Sequence, residues 1–228
     1  MKPILFNTEM VKAILEDRKT STRRIIKPQP RYELRQREID KGTNRWNEYG
    51  KEKVLDKITG STWGYGRICR YQVGDILYVR ETWMIQSMSN FDKRIKFMYR
   101  AQGNKDLEIR HVSDERYEKL LKYGCKNGWQ PSLFMPREAA RIFLKVTDIK
   151  AQRLQDITER EVLKEGIRRY HFNMNMPDAY GDKLYTDPKV AFQTLWNSTV
   201  NKKDIDVYGW DADPYVWVIE FQRVDKEG

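Results

Sequence analysis

The apolar residues of this chain recur in short blocks, each with its own period. Val11, Ile14 and Leu15 follow the three-and-four spacing of one helix face, which predicts a short helix from Thr8 to Leu15 with Thr8 as its cap. Asp17 to Arg24 is polar throughout, and Lys27-Pro28-Gln29-Pro30 predicts an extended exit, because both prolines exclude helix. Periodicity then fades over residues 31–70. It resumes after the turn signal Tyr71-Gln72-Val73-Gly74-Asp75 as a strand-like run from Ile76 to Trp83.

Lys96 to Arg100 is a second strand candidate, and Ser113 to Tyr123 a helix capped by Ser113 and stopped by Gly124. Arg141 to Ile149 alternates with period two, placing Ile142, Leu144 and Val146 on one side. Thr158-x-x-Glu161 is a capping box opening a short helix that Gly166 closes. Asp187-Pro188 starts another helix, with Phe192, Leu195 and Trp196 as its apolar stripe. The last strand, Tyr215 to Val224, is apolar on both sides and therefore reads as central. Short strands separated by single helices, without strand-helix alternation or a glycine-rich phosphate loop, predict an α+β fold with a small curved sheet or barrel.

Charge changes the picture. Of the 228 residues, 43 are Lys or Arg and 33 Asp or Glu, a formal +10. Residues 1–150 carry 32 basic and 19 acidic side chains, a balance of +13, whereas residues 151–228 carry 11 and 14. Such a gradient points to a polyanionic partner. No apolar run is long enough to cross a membrane, and the first residues lack a secretory h-region. Two cysteines, Cys69 and Cys125, and two histidines, His111 and His171, are too few for a zinc cluster or disulfide framework. The expectation is a cytoplasmic protein without metal or cofactor. In residues 31–70, Trp46, Tyr49, Trp63 and Tyr65 are interleaved with Arg45, Lys51 and Arg67. They either stack on bases or pin an inserted loop.

The chemistry concentrates at Lys19, Thr22, Arg23 and Arg24. Three positions apart on a continuing helical turn, Lys19 and Thr22 would share a face, letting a neutral amine take a hydroxyl proton. Lysine titrates near 10.4, so half-neutrality at pH 7 needs a shift of about 3 units. Burial and neighbouring arginines push that way, while a carboxylate pushes back. The alternative is a phosphate clamp with charged Lys19. Arg80 and Glu81 end a strand, where they either pair or line a pocket; Trp83 either stacks on a base or belongs to the core.

Four ordered blocks resemble the ASCH domain family. They are Ile14-Leu15-Glu16-Asp17-Arg18-Lys19-Thr20-Ser21-Thr22-Arg23-Arg24, Val73-Gly74-Asp75-Ile76-Leu77-Tyr78-Val79, Val146-Thr147 with Leu154-x-x-Ile157-Thr158, and Val216-Trp217-Val218-Ile219-Glu220-Phe221. The resemblance covers about half of the chain and implies one PUA-like domain over 1–228. That domain would be a small β-barrel with flanking helices, with insertions at about 31–70 and 84–135 and a cleft for RNA, a nucleotide or a modified nucleoside. Arg80-Glu81-Thr82-Trp83 and Trp129-Gln130-Pro131-Ser132 to Met135-Pro136-Arg137 resemble longer members carried by phages and prophages. A small bacterial member is an amidohydrolase that deacetylates N-acetylcytidine. The resemblance places its catalytic lysine on Lys19, its threonine on Thr22 and its glutamate on Glu165, six positions after Thr158-Glu159. Arg23, Arg24, Arg80, Glu81 and Trp83 are the expected binding residues. Asp17 stands where that enzyme has glycine.

Overall fold

The computed structural model describes residues 1–30, 33–36, 45–49, 66–102, 107–124, 128–168 and 187–225. In chain order they form β1 (Lys2–Leu5), α1 (Thr8–Leu15), β2 (Ser21–Ile25), β3 (Glu33–Gln36), β4 (Arg45–Tyr49), β5 (Gly66–Ile68), β6 (Ile76–Arg80), β7 (Trp83–Ser89), β8 (Arg94–Tyr99), β9 (Leu107–His111), α2 (Asp114–Gly124), β10 (Phe143–Arg153), α3 (Glu159–Lys164), α4 (Pro188–Thr199), α5 (Ile205–Tyr208) and β11 (Tyr215–Val224). The class is mixed α+β. Two compact units share the chain, and β10 passes from one to the other.

The first unit comprises Met1–Asp17, Ile76–Lys145 and Arg223–Gly228. Helix α1 lies where its periodicity predicts and buries Val11, Ala13 and Ile14, but its cap is Asn7. Asn7 is extended, and its side chain accepts from the Met10 amide at 2.8 Å, which leaves Thr8 inside the first turn. The expected strand from Ile76 to Trp83 breaks at Glu81-Thr82 into β6 and β7. β1 pairs in parallel with β6, Lys2 opposite Leu77, and the start of β10 pairs antiparallel with β6. β7, β8 and β9 form a separate antiparallel sheet with a bulge between Ile85 and Ser87. The stretch expected as an insert at 84–135 thus holds most of this sheet together with α2. Trp83, Ile95, Phe97, Tyr99, Tyr117, Leu120 and Met135 form the core.

The second unit comprises Arg18–Asp75 and Val146–Gln222. Its strand order is β10-β11-β2, so β11 is central as its two-sided apolar pattern predicts. β2 runs antiparallel to β11, with Thr22 opposite Ile219 and Arg23 opposite Val218. The turn before β6 forms as expected: the Gln72 amide donates to the Asp75 carboxylate at 2.7 Å, and Gly74 takes a φ of 89°. β3, β4 and β5 make a small antiparallel sheet within residues 31–70. The stacking expectation for Trp46, Tyr49, Trp63 and Tyr65 with Arg45, Lys51 and Arg67 falls on side chains outside the described residues.

α3 carries the predicted capping box, with the Glu161 amide donating to Thr158 Oγ1 and the Thr158 amide to Glu161 Oε2. Gly166, at φ 94°, ends it. α4 begins at Asp187-Pro188 and buries Ala191, Phe192 and Trp196. These side chains join Leu154, Ile157, Val162, Val216 and Val218 in the unit's core. Every sheet order is linear among the described residues, and none closes into a barrel.

Candidate functional site

The chain leaves α1 through Asp17, which adopts a φ of 55°, a left-handed conformation that glycine tolerates best and aspartate better than most. It then runs extended, and Ser21–Ile25 is strand rather than the helical turn expected for Lys19 and Thr22. The physical reason is pairing: Thr20 donates to the Lys164 carbonyl at 2.9 Å, Phe221 donates to the Thr20 carbonyl, and β2 continues along β11. Side chains in a strand alternate between faces. Ser21 and Arg23 therefore share one face and Thr22 and Arg24 the other.

Lys19 sits opposite Glu165 in an isolated antiparallel bridge at the end of α3. Its amine donates to Oε2 of Glu165 at 2.6 Å and to the Glu165 carbonyl at 2.9 Å. Arg23 Nη1 donates to the other carboxylate oxygen, Oε1, at 3.0 Å. Nη2 of the same guanidinium lies 3.3 Å from Oε2 of Glu161, one helical turn earlier. Lys150 closes the row by donating to Oε1 of Glu161 at 2.6 Å. The result is an alternating chain of charges: Lys19, Glu165, Arg23, Glu161, Lys150. Phe192 of α4 lies under the Arg23 guanidinium, 5.8 Å from carbon to ring centroid.

The inner end of this chain is closed to water. The side chains of Lys19, Arg23 and Glu165 are 0%, 1% and 5% exposed. Burial pulls the Lys19 amine below its ordinary value, against the pull of the Glu165 carboxylate, and Arg24 and Arg23 add to the lowering. Glu161 shows the opposite balance. Burial would raise it, but the Lys150 hydrogen bond, the Thr158 amide and the Arg23 charge outweigh that and hold it at about 2. Arg23 keeps unused capacity, because its buried Nε has no hydrogen-bond partner and Nη2 meets Glu161 only as an ion pair.

Of the expected trio Lys19, Thr22 and Glu165, the structure brings Lys19 and Glu165 together, and it adds Arg23 on the same carboxylate. Thr22 is buried on β2 but takes no part in these bonds. Arg24 is half-buried, and burial draws its guanidinium below its ordinary range, partly offset by Tyr71 and Glu165. Glu161 and Lys150 were missed as members of the cluster. The signal for Glu161 was its four-residue spacing from Glu165, which puts both carboxylates on one side of a short helix.

The three remaining expected binding residues belong to the first unit. Trp83 is 0% exposed, with its ring against Phe97 and Tyr123 at centroid distances of 5.9 and 5.3 Å, so it is part of the core. β6 ends at Arg80, and Glu81 just beyond it does not pair with Arg80. Instead it takes both arms of Arg141, at 2.9 and 3.0 Å, and Arg141 stacks 4.0 Å from the Tyr99 ring. Burial raises the Glu81 carboxyl against that pairing. Arg80 is half-buried and donates to the Leu133 carbonyl at 3.1 Å.

Among the described residues no group of His, Cys, Asp and Glu side chains has the makings of a metal site, and no helix is long and apolar enough to cross a membrane. No family model, curated protein or solved structure matches the chain.

Proposed function

We propose that this chain is an ASCH-type, PUA-like domain acting in the cytoplasm, and that it binds RNA or a modified nucleotide at the cluster around Lys19, Arg23 and Glu165. The observation that carries the reading is the meeting of Lys19 and Arg23 on one carboxylate, with the buried Nε of Arg23 left without a hydrogen-bond partner. A base edge offers both acceptors and donors, which suits a cluster holding a spare N–H group beside a carboxylate. The +13 balance of residues 1–150 supports a phosphate-bearing ligand. A ligand reaches the buried atoms only when neighbouring side chains move aside, so binding and a local rearrangement go together.

A second reading, hydrolysis of an acylated base such as N-acetylcytidine, is favoured by the burial of Lys19, which pulls its amine below its ordinary value. In it, neutral Lys19 takes the Thr22 proton as the Thr22 oxygen attacks the acyl carbon. The amine leaves with a proton delivered through Glu165, and water then frees the acid from Thr22. This needs Thr22 to join the cluster, and strand alternation turns it toward the other face. Binding is therefore the stronger reading.

The test is the affinity for a randomised single-stranded RNA pool as salt is raised. About four phosphate contacts at about −0.7 each predict a slope of log K against log salt near −3. No binding, or binding indifferent to salt, overturns the proposal. Release of acetate from N-acetylcytidine, abolished in Thr22→Ala, would favour hydrolysis.

A further inference from the structure

The first unit contains a groove of about 340 Å³ between α2, the end of β6 and residues 133–136. Its charged lining is entirely basic: Arg80, Arg116, Lys119 and Lys122. Arg116, Lys119 and Lys122 are three apart along α2 and so share one helix face. The other walls are apolar, with Leu120 and Met135 beneath and Leu133 and Phe134 at the rim, 58% and 53% exposed. Arg80 pins that rim by donating to the Leu133 carbonyl, and its Nε is buried without a partner.

The distribution of acids narrows the ligand. Arg116 is already bonded to Glu138 at 2.7 Å and Lys119 to Glu115. Arg80 and Lys122 have no carboxylate partner among the described residues. Asp114 and Glu115 stand exposed on the same helix, so a long polyanion would meet repulsion beside the two uncompensated cations. One or two negative charges on a compact apolar body match both the charge and the size, which falls in the range of small-ligand sites.

We propose that this groove is a binding site for a small amphipathic anion, an aromatic ring or branched chain bearing a carboxylate, sulfonate or phosphate. Its ring packs against Phe134 and Leu133, and its anionic group meets Arg80 and Lys122. The site is independent of the reading given for the Lys19 cluster.

Anilinonaphthalene sulfonate, titrated by fluorescence against the folded full chain, is the probe. Saturable binding is expected. Lys122→Glu and Phe134→Ser, both at exposed positions, should each weaken it about tenfold. Lys19→Met should leave it unchanged, which separates this site from the one in the second unit. An uncharged naphthol should compete poorly. Wild-type affinity in either groove variant, or equal competition by the naphthol, overturns the proposal. So does displacement of the probe by single-stranded RNA or an acidic peptide when no small aromatic anion displaces it.

Discussion

Lys19 and Glu165, 146 positions apart, are joined twice: through the Lys19 amine to the Glu165 carboxylate and carbonyl, and through a backbone bridge. This double tie fixes the end of α3 against the start of β2, and Arg23 makes it a three-membered charge cluster. Removing one partner of a buried pair leaves charge without compensation. Glu165→Gln should therefore destabilise the fold by about 3 kcal/mol, read by urea unfolding. Lys19→Met, which leaves Glu165 still bonded to Arg23, should cost only about 1 kcal/mol. Equal losses in the two would mean that Arg23 does not compensate Glu165.

Acid sensitivity should follow Glu161. Its folded value of about 2 lies below the ordinary 4.5, so between these pH values the unfolded chain binds more protons than the folded one. The stabilisation is complete above pH 4.5 and disappears as pH falls toward 2. Glu161→Gln should flatten the stability profile in that window. A profile as steep as that of the wild type would assign acid loss to other carboxylates.

Lys19 should act at the opposite end of the scale. Its lowered folded value means that the folded state resists a charge which the unfolded chain accepts freely up to about 10.5. Its penalty is fully present below the folded value and fades as pH rises through the window ending at 10.5. The difference in stability between wild type and Lys19→Met should therefore change across that alkaline range, measured by urea unfolding at successive pH values. A constant difference would contradict the lowered value.

Thr158 caps α3 while Glu161 reaches back to it. Thr158→Ala should lower stability by about 1 kcal/mol, the usual cost of losing such a cap. Thr158→Ser should recover most of it. A neutral Thr158→Ala in thermal unfolding would show that α3 is held by Lys19 and Arg23 alone.

Asp17 adopts a φ that glycine accepts without strain. Asp17→Gly should raise stability by about 0.5 kcal/mol, because the relief of left-handed strain exceeds the added freedom of the unfolded chain and the weak exposed pairing with Arg223. A loss of stability would mean that the Arg223 contact outweighs the strain.

Local chemistry made parts of this arrangement legible. The capping box at Thr158 and Glu161, Gly166 as a stop and Asp187-Pro188 as a start each act within a few residues, and each forms where its pattern lies. The apolar residues on both faces of β11 signal its interior place in the sheet. Tertiary pairing hid the rest. β1 is four residues long and pairs in parallel with a strand some seventy positions away, which no local period signals. Around Thr22, pairing with β11 overrides the helical continuation, and that single change sends Lys19 and Thr22 to different surroundings. Arg80 and Glu81 straddle the end of β6, and the partner of Glu81, Arg141, lies sixty positions on.

The most direct test compares wild type with Lys19→Met for binding of fluorescently labelled single-stranded RNA at matched salt, with circular dichroism confirming that both are folded. If the cluster meets the ligand, the variant should bind about tenfold more weakly, as expected for the loss of one charge-assisted contact. Unchanged affinity alongside lowered stability would contradict the account and make the Lys19–Glu165 pair a structural clamp alone.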